Sequence, residues 1–249
     1  MKGIAIRLFL GVFFVVFLSG SAMAADLNLS VAASLKEAVT QISDDFTKKN
    51  PGVNVQKNFG ASGALAKQIE NGAPCDVYFS ANVEWVDYLK GKNMLDAPSI
   101  ATFAFNELVF VGKPDLKASS LKDVAKLDKV AIGSPKSVPA GQYAAEAIKK
   151  AGLDAQFEKK LVMAKDVREC LMYADRGEVN GAFVYKTDAA MAQNVKILFV
   201  VPQDLYPRVT YPVALTTSGS KKAEAIAFLK YLQSPEAKAV LAKYGFAVK

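Results

Sequence analysis

Polar and apolar residues alternate over 27–30, and an uninterrupted apolar Val-Ala-Ala follows at 31–33. A period of two marks a strand, and the apolar close marks one that enters a core. Over 36–46 the period changes: Ala38, Val39, Ile42 and Phe46 recur at helical spacing. The same exchange repeats down the chain. Strands are expected at 53–59, 76–80 and 108–111, with helices at 64–71 and 82–90; in the latter Val83, Val86 and Leu89 form the inward stripe. The second half continues with strands at 130–133, 181–185, 195–201 and 211–216. Helices fall at 140–151 and 166–176, each closed by a glycine (Gly152 and Gly177) suited to a left-handed stop. Two further helices, 221–232 and 235–244, end the chain. Repeated strand–helix alternation predicts an α/β fold with mixed, mostly parallel sheets. No fixed-period repeat and no low-complexity linker divides it, so any two domains are joined by strands or short crossings.

The first 24 residues break this pattern. Lys2 and Arg7 precede a nearly unbroken apolar stretch over 8–18, and Ala22-Met23-Ala24 supplies small residues in A-x-A order. That combination reads as a secretory signal peptide cut after Ala24. The apolar run is shorter than the about 20 residues of a membrane-spanning helix. Without Lys2 and Arg7 the formal charge falls from +7 to +5. The lysine pairs at 48–49, 149–150, 159–160 and 221–222 are scattered along the chain, which gives a solvated surface and no nucleic-acid footprint. The chain contains no histidine, which removes the Ser-His-Asp triad, the Cys-His pair and every histidine metal site. Cys75 and Cys170 have no zinc or redox spacing and read as two small buried thiols.

Candidate chemistry sits at four strand-to-helix junctions. Ser34, with Glu37 three residues on, matches a capping box. Gly60-Ala61-Ser62-Gly63 opens the second helix, and Pro139-Ala140-Gly141 opens another. Asp166 caps a helix that begins at Val167. Each is ordinary alone. Together they suggest an anion site, because a helix start carries unsatisfied N–H groups and a partial positive charge. Ligands of α/β folds also sit beyond the carboxyl ends of strands, where these junctions lie. A cradle of donors alone suits a fully deprotonated tetrahedral dianion; a protonated phosphate would lack an acceptor for its O–H.

The chain resembles the periplasmic molybdate-binding proteins that feed ABC importers, members of the type II periplasmic solute-binding proteins. The markers are VAASL at 31–35, ASGALAKQIENGAPCDVYFSA at 61–81, VPAGQYA at 138–144, DVR at 166–168, VYKTDA at 184–189, YPVA at 211–214 and KYGF at 243–246. The resemblance implies a two-lobed α/β fold with the ligand in the interlobe cleft: lobe one from 25–105 and 213–249, lobe two from 106–212. It implies an oxyanion held without a positive side chain. Ser34, Ser62 and Tyr185 would contribute hydroxyls, and Ala140 and Val167 backbone N–H groups; any molybdenum would be bound only as its oxyanion. Many relatives have a second serine where this chain has Gly63. No cofactor and no reaction are implied. The implied partners are the permease and ATPase subunits of an importer, the binding protein itself being a periplasmic monomer. A sulfate- or thiosulfate-type binder of the same fold is the main competitor. An enzyme, or an exported adhesion or sensor module, on the same scaffold is a further alternative.

Overall fold

The computed structural model describes residues 25–248, so the expected signal peptide lies outside the described residues. The chain opens β1 (Ala25–Ala32), α1 (Lys36–Lys49), β2 (Val53–Gly60), α2 (Ser62–Glu70), β3 (Val77–Phe79), α3 (Val83–Gly91) and β4 (Ala101–Phe105). It continues β5 (Leu108–Gly112), α4 (Leu121–Val124), β6 (Val130–Gly133), α5 (Pro139–Lys150), α6 (Asp154–Phe157), β7 (Leu161–Ala164), α7 (Val167–Asp175), β8 (Gly181–Tyr185), α8 (Lys186–Ala189) and β9 (Lys196–Val200). It closes with β10 (Thr210–Leu215), α9 (Ala223–Tyr231) and α10 (Pro235–Lys243).

These strands form two five-stranded sheets, ordered β2-β1-β3-β10-β4 and β7-β6-β8-β5-β9. In each sheet four strands run one way and the fourth in order is reversed. The reversed strands are β10 and β5, the two that follow a crossing between the sheets. The architecture is therefore two α/β lobes of matching topology. The outward crossing is Asn106–Glu107, and the return lies within 201–209. The two crossings touch: the Asn106 N–H donates to the Val209 carbonyl at 3.2 Å. Thr210 and Tyr211 already pair with Phe105 and Ala104, so the first sheet takes up the chain three residues ahead of the expected 213 boundary.

Burial follows position in the sheet. β1 lies between two neighbours and is buried from Leu29 to Ala32, which explains its apolar close. β2 is an edge and keeps strict alternation. β4 and β7 were not anticipated; β7 is a four-residue edge strand, Leu161–Ala164, whose run is apolar but too short to show a period, and its Met163 faces solvent. Val83 is 44% exposed, a correction to the expected inward stripe: it is the first residue of α3, where the stripe runs off the packed face, and Val86 and Leu89 alone point inward. Gly152 and Gly177 adopt φ of +69° and +74° and end their helices as expected. Cys75 and Cys170 are both free and buried. Among the described residues no helix is long and apolar enough to cross a membrane.

Candidate oxyanion site

The four junctions meet where the lobes face each other. Direct contacts cross the cleft. The Gly63 N–H at the start of α2 donates to the Ser137 carbonyl, just before α5, at 2.9 Å. Asn82 Nδ2 donates to Gln142 Oε1 at 2.7 Å. The Arg168 guanidinium, at the start of α7, donates to the Ser34 carbonyl at 3.4 Å. The cleft is thus closed, and all five sequence-derived candidates are buried: Ser34, Ser62, Ala140, Val167 and Tyr185.

Local bonding decides which donors remain. In α7 the Asp166 carboxylate accepts from the N–H groups of Arg168 (2.9 Å) and Glu169 (3.0 Å), which leaves the first N–H, that of Val167, outside the cap. In α5 the Val138 carbonyl takes the N–H groups of Gly141 and Gln142, and Pro139 has none. Ala140 therefore holds the first-turn donor not used there. Gly141 allows this packing, because a Cβ at that position would collide with the Gly133 carbonyl. Ser62 begins α2. Its Oγ accepts from the Ala81 N–H at 2.9 Å, so its own proton is available, and its carbonyl is fixed by the Tyr78 hydroxyl at 2.8 Å.

Ser34 departs from expectation. It sits inside a 3-10 turn, Ala33–Leu35, and caps nothing; Leu35 occupies the N-cap of α1 without a side-chain bond. The capping box with Glu37 is absent because both members are drawn elsewhere. Ser34 Oγ lies 2.9 Å from the Tyr211 hydroxyl, and Glu37 pairs with Arg168. Tyr211 also accepts from Asn106 Nδ2 at 3.3 Å, and Asn106 Nδ2 reaches Thr187 Oγ1 at 2.9 Å. Tyr211 and Asn106 were missed as site residues. YPVA was legible only as a marker, and a lone asparagine at a crossing carries no sequence signal.

Tyr185 ends β8 and is 1% exposed, yet its hydroxyl has no hydrogen-bond partner. Its ring packs against Tyr211 and Tyr143, with centroids 5.8 and 6.5 Å away. The Tyr143 hydroxyl in turn lies 3.5 Å from the Ala81 carbonyl, beside Ser62. A chain of contacts therefore links Ser34, Tyr185 and Ser62. Burial raises the hydroxyls of Tyr185 and Tyr211 well above the usual phenol range, so both stay protonated. The Arg168 guanidinium, which reaches the Ser34 carbonyl, is already held by Glu37 and by Asp188, 2.7 Å from its Nε. The arrangement offers neutral donors to a small buried anion.

Comparison with known proteins agrees with this fold. Residues 27–247 match the sequence family described as bacterial extracellular solute-binding protein. The molybdate-binding protein ModA of Haemophilus influenzae is 38% identical over 92% of both chains. That of Escherichia coli is 37% identical over 98% of both. The solved periplasmic molybdate-binding protein of Azotobacter vinelandii superposes with a TM-score of 0.80 at 25% identity, covering 90% of this chain and 99% of that one. With two lobes of matching topology closed on a shared cleft, this chain belongs to the bacterial extracellular solute-binding proteins.

Proposed function

We propose that the protein binds molybdate in its interlobe cleft and delivers it to the permease and ATPase of an ABC importer. The observation that carries the site is the Tyr185 hydroxyl, buried and unpaired. Such a group costs about 1–3 kcal/mol unless something accepts its proton. An acceptor-only dianion does so, and the hydroxyls of Ser34 and Ser62 with the N–H groups of Ala140 and Val167 complete a set of donors. The relatives' names supply the choice of anion. Tungstate, of the same charge and nearly the same size, fits the same set.

The anion leaves as it entered. With no histidine in the chain, and with the Glu37 carboxylate near Ser34 held by Arg168, the cradle offers no activated nucleophile. The protein works as a monomer, and residues 1–24 direct it to the periplasm. The test is thermal unfolding with molybdate, tungstate, sulfate and phosphate in turn. Binding to the native state alone raises the melting temperature. A rise with molybdate and tungstate only is expected. A rise with sulfate would keep the site and change the cargo, and no rise with any of the four refutes the reading.

A further inference from the structure

Arg168 follows Val167 directly, and the donor set described above makes no use of its charge. Its contacts point two ways. Behind it, Nε lies 2.7 Å from Oδ1 of Asp188, on α8 of the same lobe, and Asp188 is fully buried. Ahead of it, Nη2 pairs with Glu37 on α1 of the other lobe and donates to the Ser34 carbonyl at 3.4 Å. Nη1 rests on the Met191 sulfur. One planar fork thus spans a buried carboxylate and, across the cleft, a carboxylate and a carbonyl. A lysine has the charge but not the fork, and would serve one side at a time. Two carboxylates against one guanidinium also leave no surplus positive charge to offer an anion. The Glu37 and Ser34 contacts exist only while the lobes are together, since their partners belong to opposite lobes.

We propose that Arg168 is the latch of the closed cleft. Anchored on Asp188, it takes Glu37 and the Ser34 carbonyl as the lobes meet, holds the Ser34 turn against the anion, and slows the anion's escape. It is a positioning residue and not an anion ligand. The proposal rests on the oxyanion-binding reading.

The experiment uses the mature protein and its E37Q, R168K and E37Q/R168K variants. Trp85 is the only tryptophan of the chain and lies against Gly63 at the cleft, so its fluorescence reports closure in stopped-flow. In E37Q the molybdate dissociation rate should rise on the order of ten-fold, the effect of losing one charge-assisted bond, with the association rate unchanged. R168K should match it, and the double variant should be no worse than R168K alone. Small-angle scattering of the ligand-free protein adds a readout that needs no anion, taken in Y185F, which lacks the unmet hydroxyl that opposes empty closure: adding E37Q or R168K should make it less compact. Near-wild-type ligand-free melting confirms that the variants fold. A wild-type dissociation rate in E37Q overturns the latch, as do losses that multiply in the double variant. So does a normal R168K beside a failing R168M, which would make the charge an anion contact. If wild type binds no molybdate, the cargo assignment fails. The latch is then judged by scattering alone: a smaller closed population on adding E37Q to Y185F supports it, and identical profiles overturn it.

Discussion

Tyr185→Phe separates a ligand donor from a core tyrosine, because the two roles give opposite results. The ring contacts with Tyr143 and Tyr211 survive the change, so packing is preserved. In an open cleft the hydroxyl meets water and costs nothing. Closure strips that water, and no protein atom replaces it. The unmet bond, about 1–3 kcal/mol, disfavours ligand-free closure by about 5- to 150-fold. The Phe variant escapes that penalty and should close more readily when empty. With the anion present it loses a donor to a charged acceptor, about 1.5–3 kcal/mol, so affinity should fall about 10- to 150-fold. Isothermal titration with molybdate reads the affinity, and small-angle scattering of the ligand-free protein reads the closure. Weaker binding together with a more compact empty form is the expected pair. Unchanged affinity would refute the donor role, and weaker binding with an unaltered empty form would refute the claim that the orphaned hydroxyl holds the cleft open.

Ser62→Ala removes the acceptor of the buried Ala81 N–H as well as a donor to the anion. Ligand-free stability should therefore drop by about 1–3 kcal/mol, some 2–4 °C in melting temperature per kcal/mol, and molybdate affinity should fall as well; a variant that melts lower but binds normally takes Ser62 out of the site. Ala140→Pro should abolish binding where Ala140→Ser spares it, because the backbone N–H is the contact, and the reverse order in titration would refute that assignment. Gly63→Ser should weaken binding: its Cβ would strike the Trp85 ring and come within 2.8 Å of Ser137 Cα across the cleft. Equal affinity would show that the lobes do not close as tightly as described. Burial pushes the Asp188 carboxyl up to about 6 from 3.8, against the opposing pull of Arg168. The folded state then keeps a proton that the unfolded chain has released, so this group's contribution is largest below about pH 4 and is lost as pH rises through about 6, by up to about 3 kcal/mol. Urea midpoints of wild type and Asp188→Asn across that range should show the slope flattened in the variant; parallel slopes would refute it.

What the sequence discloses depends on how far a residue's partners lie along the chain. Strand β8 and helix α7 were legible because their signals are local: an unbroken apolar run in one, an Asp cap and a Gly stop in the other. Ala140 and Val167 came only from the family resemblance: by itself a valine there reads as core, and the bonds that leave its N–H and that of Ala140 over become visible in the structure. β7 was lost because an edge strand of four residues buries only Ala164. Tyr211 and Asn106 were lost because their roles exist only after the two crossings meet.

Ser34 shows where local reading fails and why the failure is informative. S-x-x-E is a sound helix-start signal when nothing else competes for its side chains. Here the competitors are Tyr211, far along the chain and on the return strand, and Arg168, on the opposite lobe. Each brings a buried or charge-assisted bond, stronger than an exposed reciprocal cap. The two departures are one event: freeing Glu37 for Arg168 leaves Ser34 to Tyr211. Of the two residues that look like a cap in sequence, Glu37 is therefore used to join the lobes, and the Ser34 hydroxyl ties the start of α1 to β10 within lobe one. Ser34→Ala takes a partner from the buried Tyr211 hydroxyl inside lobe one, so it should lower ligand-free stability by about 1–3 kcal/mol, and molybdate affinity should fall as well. A ligand-free loss with unchanged binding would take the Ser34 hydroxyl out of the donor set and leave it a bond within lobe one.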